Sequence, residues 1–98
     1  MIRYMKEFVA IVEFLKKYDK AKVSKGFLIM DKPSIVEMLD RNKYDTSDSK
    51  LKIWKAMNWI DAEERRVTKR IYDGKTGTYK PCIKLDIKVY ETLKKHLK

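Results

Sequence analysis

Basic side chains are the residues of this chain best suited to chemistry, and they concentrate toward its C-terminal end. Residues 65–84 carry seven lysines and arginines and one acidic residue, a net charge of +6 in a chain whose total is +10. Their common chemistry is anion binding, because lysine and arginine donate charge-assisted hydrogen bonds to phosphate and carboxylate oxygens. The charge distribution therefore predicts a polyanionic partner, with nucleic acid as the first candidate.

Other reactive side chains are too few for catalysis. The chain has one histidine, His96, and one cysteine, Cys82, which cannot supply a metal-ligand cluster or a paired nucleophile and base. The acidic run Asp61, Glu63 and Glu64 has the residue types of a metal site, but adjacent carboxylates in a loop are usually solvated. "DGKTG" lacks the glycine spacing and the following helix of a phosphate-binding loop. We therefore expect no enzyme activity, no catalytic residue, no metal and no cofactor.

The basic residues fall in a predicted β-hairpin. "RVTKRIY" and "TYKPCIKL" are rich in β-branched and aromatic residues, and the residues between them permit a reversal. If Ile71 pairs with Tyr79 across a five-residue loop, Val67 opposes Ile83 on the core face. The other face then carries opposed pairs: Arg66 with Lys84, Thr68 with Cys82, and Arg70 with Lys80.

Like charges directly opposed on a sheet destabilise it, by some tenths of a kcal/mol for each pair, roughly. We therefore expect a bound anion to relieve the repulsion on this hairpin. The alternatives are a simple solvated face and edge strands that use charge to avoid aggregation.

The first part of the chain is predicted to form two helices with a strand between them. Apolar residues spaced by three and four predict an amphipathic helix from Ile2 to Tyr18, with a stripe wide enough for a dimer contact as well. "FLIM" is too short for a helix and predicts a strand. Ser34 and Glu37 fit a capping box behind Pro33, which predicts a second helix from about Ser34 to Arg41.

A third helix, capped by Thr46 or Ser47, is predicted over "SDSKLKIWKAMNWI". Its core side is expected to hold Ile53, Trp54, Met57 and Ile60. Lys52, Lys55 and Trp59 fall roughly opposite, with Trp59 either packed under the hairpin or exposed to a partner. After the hairpin, Asp86 caps a terminal helix with four inward-facing residues: Val89, Tyr90, Leu93 and Leu97.

Length and composition favour a single domain over residues 1–98. Ninety-eight residues with 44% hydrophobic content suit one core, and there is neither an internal repeat nor a linker-like tract. One cysteine cannot form an internal disulfide, and no apolar stretch approaches the roughly 18 residues of a membrane span. We expect a soluble, cytoplasmic protein that does not enter a membrane.

The element order resembles that of the winged helix-turn-helix family. The resemblance rests on "PSIVEMLDRNKYDTSDSKLKIWKAMNWIDAEERRVTKRIYDGKTGTYKPCIKL", where the second helix, the third helix and the wing follow in family order. It covers nearly the whole chain and implies an α+β fold: a three-helix core, a β-hairpin wing and, here, a C-terminal helix. It also implies a double-stranded DNA partner, with the third helix in or near the major groove and the wing on the backbone or minor groove.

The charge distribution implies that the wing is the main contact and that helix three assists. Helix three offers Ser47, Ser49, Lys50, Lys52, Lys55 and Asn58, but no arginine or glutamine for bidentate reading of bases. On the wing, Arg66 and Arg70 are expected at base edges or a narrow groove, and the lysines on phosphates: Lys69, Lys75, Lys80 and Lys84. Thr76, Thr78 and Tyr79 would add neutral hydrogen bonds.

Several functions remain open at this point. The lysine-rich composition and charged wing are similar to accessory DNA-binding proteins of clostridial conjugative plasmids, which implies action near a transfer origin with a relaxase or other DNA-processing protein. The broader family more often supplies transcriptional regulators. We expect a homodimer formed through helix one, because two half-sites multiply affinity. An adaptor that binds an acidic protein and an RNA-binding protein are the alternatives.

Overall fold

The computed structural model describes residues 2–97, which form four helices and a four-stranded antiparallel sheet. The predicted α+β class is confirmed. Among the described residues, no helix is both long and apolar enough to cross a bilayer. The elements in chain order are α1 (Ile2–Lys17), β1 (Lys22–Ser24), β2 (Phe27–Asp31), α2 (Lys32–Leu39), α3 (Ser47–Ala56), β3 (Lys69–Asp73), β4 (Thr78–Asp86) and α4 (Ile87–His96).

The core lies between one face of the sheet and the helices. The strand order is β1-β2-β4-β3, so β4 is hydrogen-bonded on both sides. Opposite residues of antiparallel strands share a face, and the pairs Leu28–Leu85 and Met30–Ile83 are buried. These four side chains join one hydrophobic cluster with residues of α1, α2 and α3.

The first predicted helix is confirmed to within one residue, since α1 ends at Lys17. Its apolar stripe centres on Phe8, whose ring meets Trp54 of α3 edge-on at 4.8 Å between centroids. "FLIM" is confirmed as the body of β2. β1, which pairs with β2 in a short hairpin, was not predicted.

The predicted start of α2 is wrong. Asp31, not Ser34, is the N-cap residue, and its carboxylate accepts the backbone N–H of Ser34 at 2.9 Å. The helix begins at Lys32 and ends at Leu39, two residues earlier at each end than predicted. Aspartate is as good a cap as serine, and this position leaves Pro33 in the first turn, where no N–H is needed.

The cap predicted at Thr46 is confirmed, because its hydroxyl accepts the Ser49 N–H at 3.1 Å. The predicted C-terminal extent of α3 is wrong. Asn58 takes a left-handed conformation (φ +59°), its N–H bonds the Lys55 carbonyl, and the Trp59 N–H bonds the Trp54 carbonyl at 2.9 Å. This pair of bonds is a Schellman motif, which ends the helix at Ala56.

The early end of α3 changes which residues face the core. Trp59 turns back into the core against Phe8, with 5.4 Å between ring centroids, and is 4% exposed. It is therefore neither on the solvent side with Lys52 and Lys55 nor open to a partner. Met57, predicted to face the core, is instead the C-cap residue and is 44% exposed.

Lys50 is not available to a ligand, although it lies on α3. Its ammonium is fully buried, forms a 3.1 Å salt bridge with Glu7 and donates 2.7 Å hydrogen bonds to the carbonyls of Leu39 and Asn42. The Tyr44 ring lies 4.2 Å away. Lys50 therefore holds α1, α2 and α3 together.

The predicted hairpin exists, but its register is shifted by one residue. Tyr72, not Ile71, pairs with Tyr79, and the loop has four residues, 74–77. A slip of one residue moves side chains to the opposite face of a sheet. Arg70 accordingly faces Pro81 instead of Lys80, and Arg66, Val67 and Thr68 precede β3, so none of the predicted opposed pairs forms.

The terminal helix is capped as predicted. The Asp86 carboxylate accepts the Lys88 N–H at 2.8 Å, and α4 follows β4 without a loop. Tyr90 is buried, and Val89, Leu93 and Leu97 pack partly buried against the core.

Candidate nucleic-acid interface

A basic groove runs between α3 and the segment that leads into β3. Its volume is about 420 Å³, and five of the side chains that line it are basic while one is acidic. We call it the α3 groove, and its lining residues are Lys32, Asp48, Lys52, Lys55, Arg65, Arg66, Val67 and Thr68. Of the predicted contact residues, it brings together Lys52, Lys55 and Arg66.

The far wall of the groove is fixed by backbone hydrogen bonds around Glu63. The Glu63 N–H donates to the Thr68 carbonyl at 3.0 Å, and the Arg66 N–H donates to the Glu63 carbonyl at 3.0 Å. Lys55 reaches across from α3 and donates to the same Glu63 carbonyl at 2.9 Å. These contacts hold the two walls at a set distance.

Arg65 has an unusual backbone conformation on this wall. Its φ of +65° lies in the left-handed region, which a non-glycine residue occupies at a cost. Strain of this kind persists where the surrounding structure fixes it, and it often accompanies function. Here it allows Arg65 and Arg66 both to line the groove.

The salt bridge on the α3 wall does not fully neutralise the charge of Lys52. Lys52 forms a 3.0 Å salt bridge with Asp48, one turn earlier, but both side chains are 70% exposed. Exposed pairs of this type contribute little and exchange readily with other partners. Ser49, also a predicted contact, lies on the first turn of α3.

The lysines of the hairpin are mostly paired with carboxylates of the same chain. Lys69 and Lys84 flank Asp61 at 3.9 and 3.5 Å, and Lys80 contacts Asp73 at 3.0 Å. These three lysines share the sheet face directed away from the core, because Lys69 opposes Cys82 and strand side chains alternate. We call this the outer face.

Arg70 lies on the opposite face of the hairpin and is also paired. Its Nε donates to Glu63 Oε1 at 3.1 Å, and this hydrogen bond is the main reason that the pKa of the Glu63 carboxyl falls below its usual range. The expected common surface of Arg66, Arg70, Lys80 and Lys84 is therefore wrong. Their charges lie in three places, and internal carboxylates, not an external anion, offset much of the repulsion.

Thr78, the first residue of β4, adjoins the hairpin loop, which presents Lys75 and Thr76 at the far end of the two strands. Asp73 organises it: its carboxylate accepts the Lys75 N–H at 3.0 Å, and its carbonyl accepts the Gly77 N–H at 2.8 Å. Gly77 has a φ of +70°, which glycine adopts without strain. The hydroxyls of Thr76 and Thr78 are 2.8 Å apart, and Lys75 is exposed with no salt bridge to the described residues.

Lys32 and Arg65 were missed as interface residues. Lys32 follows β2 directly, so only the packing of α2 beside α3 reveals that it reaches the groove. Arg65 stands beside Arg66 in the basic stretch, and this adjacency was the available signal.

The described residues offer little for covalent or metal chemistry. No three histidine, cysteine, aspartate or glutamate side chains among residues 2–97 are grouped to hold a metal ion. Burial raises the pKa of the Cys82 thiol, which disfavours the reactive thiolate. The arrangement is suited to binding anions through charge and hydrogen bonds.

No model of a known protein family matches this chain, and comparison with curated proteins finds no significant relative.

Proposed function

We propose that this chain is a winged helix-turn-helix protein that binds double-stranded DNA. The observation that carries the proposal is the α3 groove, where five basic side chains surround one carboxylate. Phosphates placed there would meet charge-assisted hydrogen-bond donors from both walls. Affinity for a polyanion then comes from release of its counterions and depends steeply on salt.

The sheet order supports the winged-helix part of the proposal. The strand before α2 pairs with the second hairpin strand, β4, and the hairpin is the next regular element after α3, as in winged helix-turn-helix domains. β1 is an addition at the sheet edge. In this arrangement α3 is the recognition helix and the β3–β4 hairpin is the wing.

Pairing and exposure together shift the main contact from the wing toward the groove: Arg65 and Arg66 form no salt bridge with the described residues, and the Lys52–Asp48 pair is highly exposed. Lys52, Lys55, Arg65 and Arg66 act together there, and the arginines supply the planar donors needed for bidentate contacts to phosphate or guanine. Lys75 at the wing tip adds a further phosphate contact. Lys69, Lys80 and Lys84 contribute less, because Asp61 and Asp73 already offset their charge.

The protein acts as a homodimer in this proposal, with α1 as the contact. Phe14 on α1 and Tyr18 immediately after it are 38% and 55% exposed, and their rings lie 4.6 Å apart. Two copies would place two α3 grooves on one duplex and multiply affinity. The same binding activity serves a transcriptional regulator or an accessory protein at a plasmid transfer origin that works with a relaxase.

A titration of labelled duplex DNA against the protein, repeated from about 50 to 200 mM salt, tests the proposal. Each lost phosphate contact reduces the slope of log affinity against log salt by about 0.9. We expect Lys52→Ala combined with Arg66→Ala to weaken binding at least about tenfold and to lower the slope by about 2.

The matched control is Lys22→Ala combined with Lys95→Ala, which removes the same charge from exposed positions on β1 and α4. It should leave the slope unchanged. Wild-type binding with a flat salt response, or equal losses in both double variants, would overturn the assignment of the groove.

A further inference from the structure

The wing carries two exposed tyrosines on the face that continues from the core. Tyr72 and Tyr79 form a cross-strand pair with 5.3 Å between ring centroids, and they are 58% and 66% exposed. Two residues closer to the core, Arg70 pairs with Pro81 on the same face. We call these four residues the tyrosine face. Folding does not account for this exposed aromatic area, since the core ends at Ile83.

A depression of about 330 Å³ adjoins this face, lined by Glu63, Arg70 and Tyr79. The Glu63 carboxylate takes both the backbone N–H and the Nε–H of Arg70, at 3.3 and 3.1 Å. The terminal guanidinium nitrogens donate to no acceptor among the described residues, and the side chain is 67% exposed. The Tyr79 ring, the Arg70 guanidinium and the Glu63 carboxylate therefore line one depression.

Glu63 also connects this depression to the α3 groove. Its carbonyl accepts the hydrogen bond from Lys55 on the groove wall, while its carboxylate holds Arg70. A nucleic-acid strand whose phosphates lie in the groove is thus brought next to the tyrosine face. Bases inside a duplex are stacked on their neighbours, so only an unpaired base can present its ring to a tyrosine.

We propose that the tyrosine face stacks an unpaired nucleobase, so that the protein prefers duplex DNA that opens into a single strand over blunt duplex. This inference rests on the proposed duplex binding and names its substrate more closely. Stacking on tyrosine tolerates any base, and the guanidinium of Arg70 adds donors for base or phosphate oxygens.

Charge favours a nucleic acid over a second copy of this chain as the occupant. On the tyrosine face the terminal guanidinium nitrogens of Arg70 have no acceptor among the described residues, and Lys75, which forms no salt bridge with them, stands at the adjoining loop. Two copies that met through this face would bring these charges together, whereas a polyanion neutralises them.

The test compares a blunt duplex with the same duplex extended by a short single strand, in which 2-aminopurine replaces the first unpaired base. We expect wild-type protein to bind the extended DNA about tenfold more tightly, a typical effect of stacking one base. The 2-aminopurine fluorescence should fall on binding, as the base stacks. Tyr72→Ala with Tyr79→Ala should reduce the ratio of the two affinities to about one and abolish the fluorescence change, and Tyr72→Phe with Tyr79→Phe should retain both effects.

The outcomes separate this inference from the proposed function. Failure of the wild-type protein to bind blunt duplex with a salt response defeats the duplex proposal. Normal duplex binding with no preference for the extended DNA, or a preference that survives both alanine changes, defeats the stacking inference alone. Conversion of a dimer to a monomer by the alanine changes, measured by sedimentation, would show that the face joins two copies and would also overturn it.

Discussion

Lys50 and Glu7 form a 3.1 Å salt bridge in which the side chains are 0% and 5% exposed. The pair lies where three helices meet, and Glu7 also accepts hydrogen bonds from Asn42 and Tyr44. Burial and the hydrogen bond to Glu7 raise the pKa of Tyr44, which keeps this phenol a donor. The bridge positions the start of α3, and with it one wall of the groove.

We predict that Lys50→Met lowers the free energy of unfolding by about 3 kcal/mol, because it leaves the Glu7 charge buried without its partner. Adding Glu7→Gln should recover part of this loss, since the unpaired charge is then gone. Urea denaturation of the two single variants and the double variant measures both effects. Strictly additive losses would show that the two charges do not interact. The salt slope of duplex binding should be unchanged in Lys50→Met, unlike in variants of Lys52.

Arg65→Gly should separate stability from binding. Glycine occupies the left-handed region without the clash that Arg65 suffers at φ +65°, so the free energy of unfolding should rise by up to about 1 kcal/mol. Duplex affinity should fall, because the groove loses a cation. Arg65→Lys is the control for charge: it retains the cation and the strain. A glycine variant that binds duplex as tightly as wild type would remove Arg65 from the interface.

Glu63→Gln should alter the pH dependence of stability. The hydrogen bond from Arg70 holds the pKa of the folded carboxyl below its ordinary value of 4.5, so the ionised form stabilises the fold. That contribution is present above about pH 4.5 and is lost as the pH falls through the lower folded value. The difference in unfolding free energy between wild type and variant should therefore be largest near neutral pH and shrink in acid. Denaturation at a series of pH values measures it, and a difference that stays constant would contradict the role of the ionised carboxylate.

Asp61→Asn should strengthen duplex binding. Asp61 offsets Lys69 and Lys84 on the outer face, and its loss raises the positive potential of the wing. We expect a few-fold gain at low salt that fades as salt screens the added field. Glu37→Gln on α2, which breaks the exposed pair of Glu37 with Arg41, removes the same charge elsewhere and serves as the control. Equal gains in both variants would indicate an effect of net charge alone.

Periodicity in the sequence was enough to predict α1, α4 and β2. Their apolar residues recur at helical spacing or form a short run that turn residues bound, and the caps Thr46 and Asp86 are common cap types. Local pattern also indicated the hairpin. Residues that are close together along the chain determine these elements, so the α+β class could be predicted from the sequence.

The surface of the wing could not be predicted, because it depends on one residue of register. A four-residue loop ending in Gly77 replaces the expected five-residue loop, and Arg70 moves to the face of Tyr72 and Tyr79. The burial of Lys50 could not be predicted either. Helical spacing cannot show that a lysine will be buried when its carboxylate partner, Glu7, is 43 positions away.

Asp86 is at once the last residue of β4 and the N-cap of α4, so no flexible joint lies between the wing and the C-terminal helix. The nine residues of β4 reach about 30 Å at the usual rise of a strand. Because β2 pairs with the half of β4 next to α4, the wing and α4 are both anchored to one central strand. Their relative orientation is therefore set by the sheet and not by a linker.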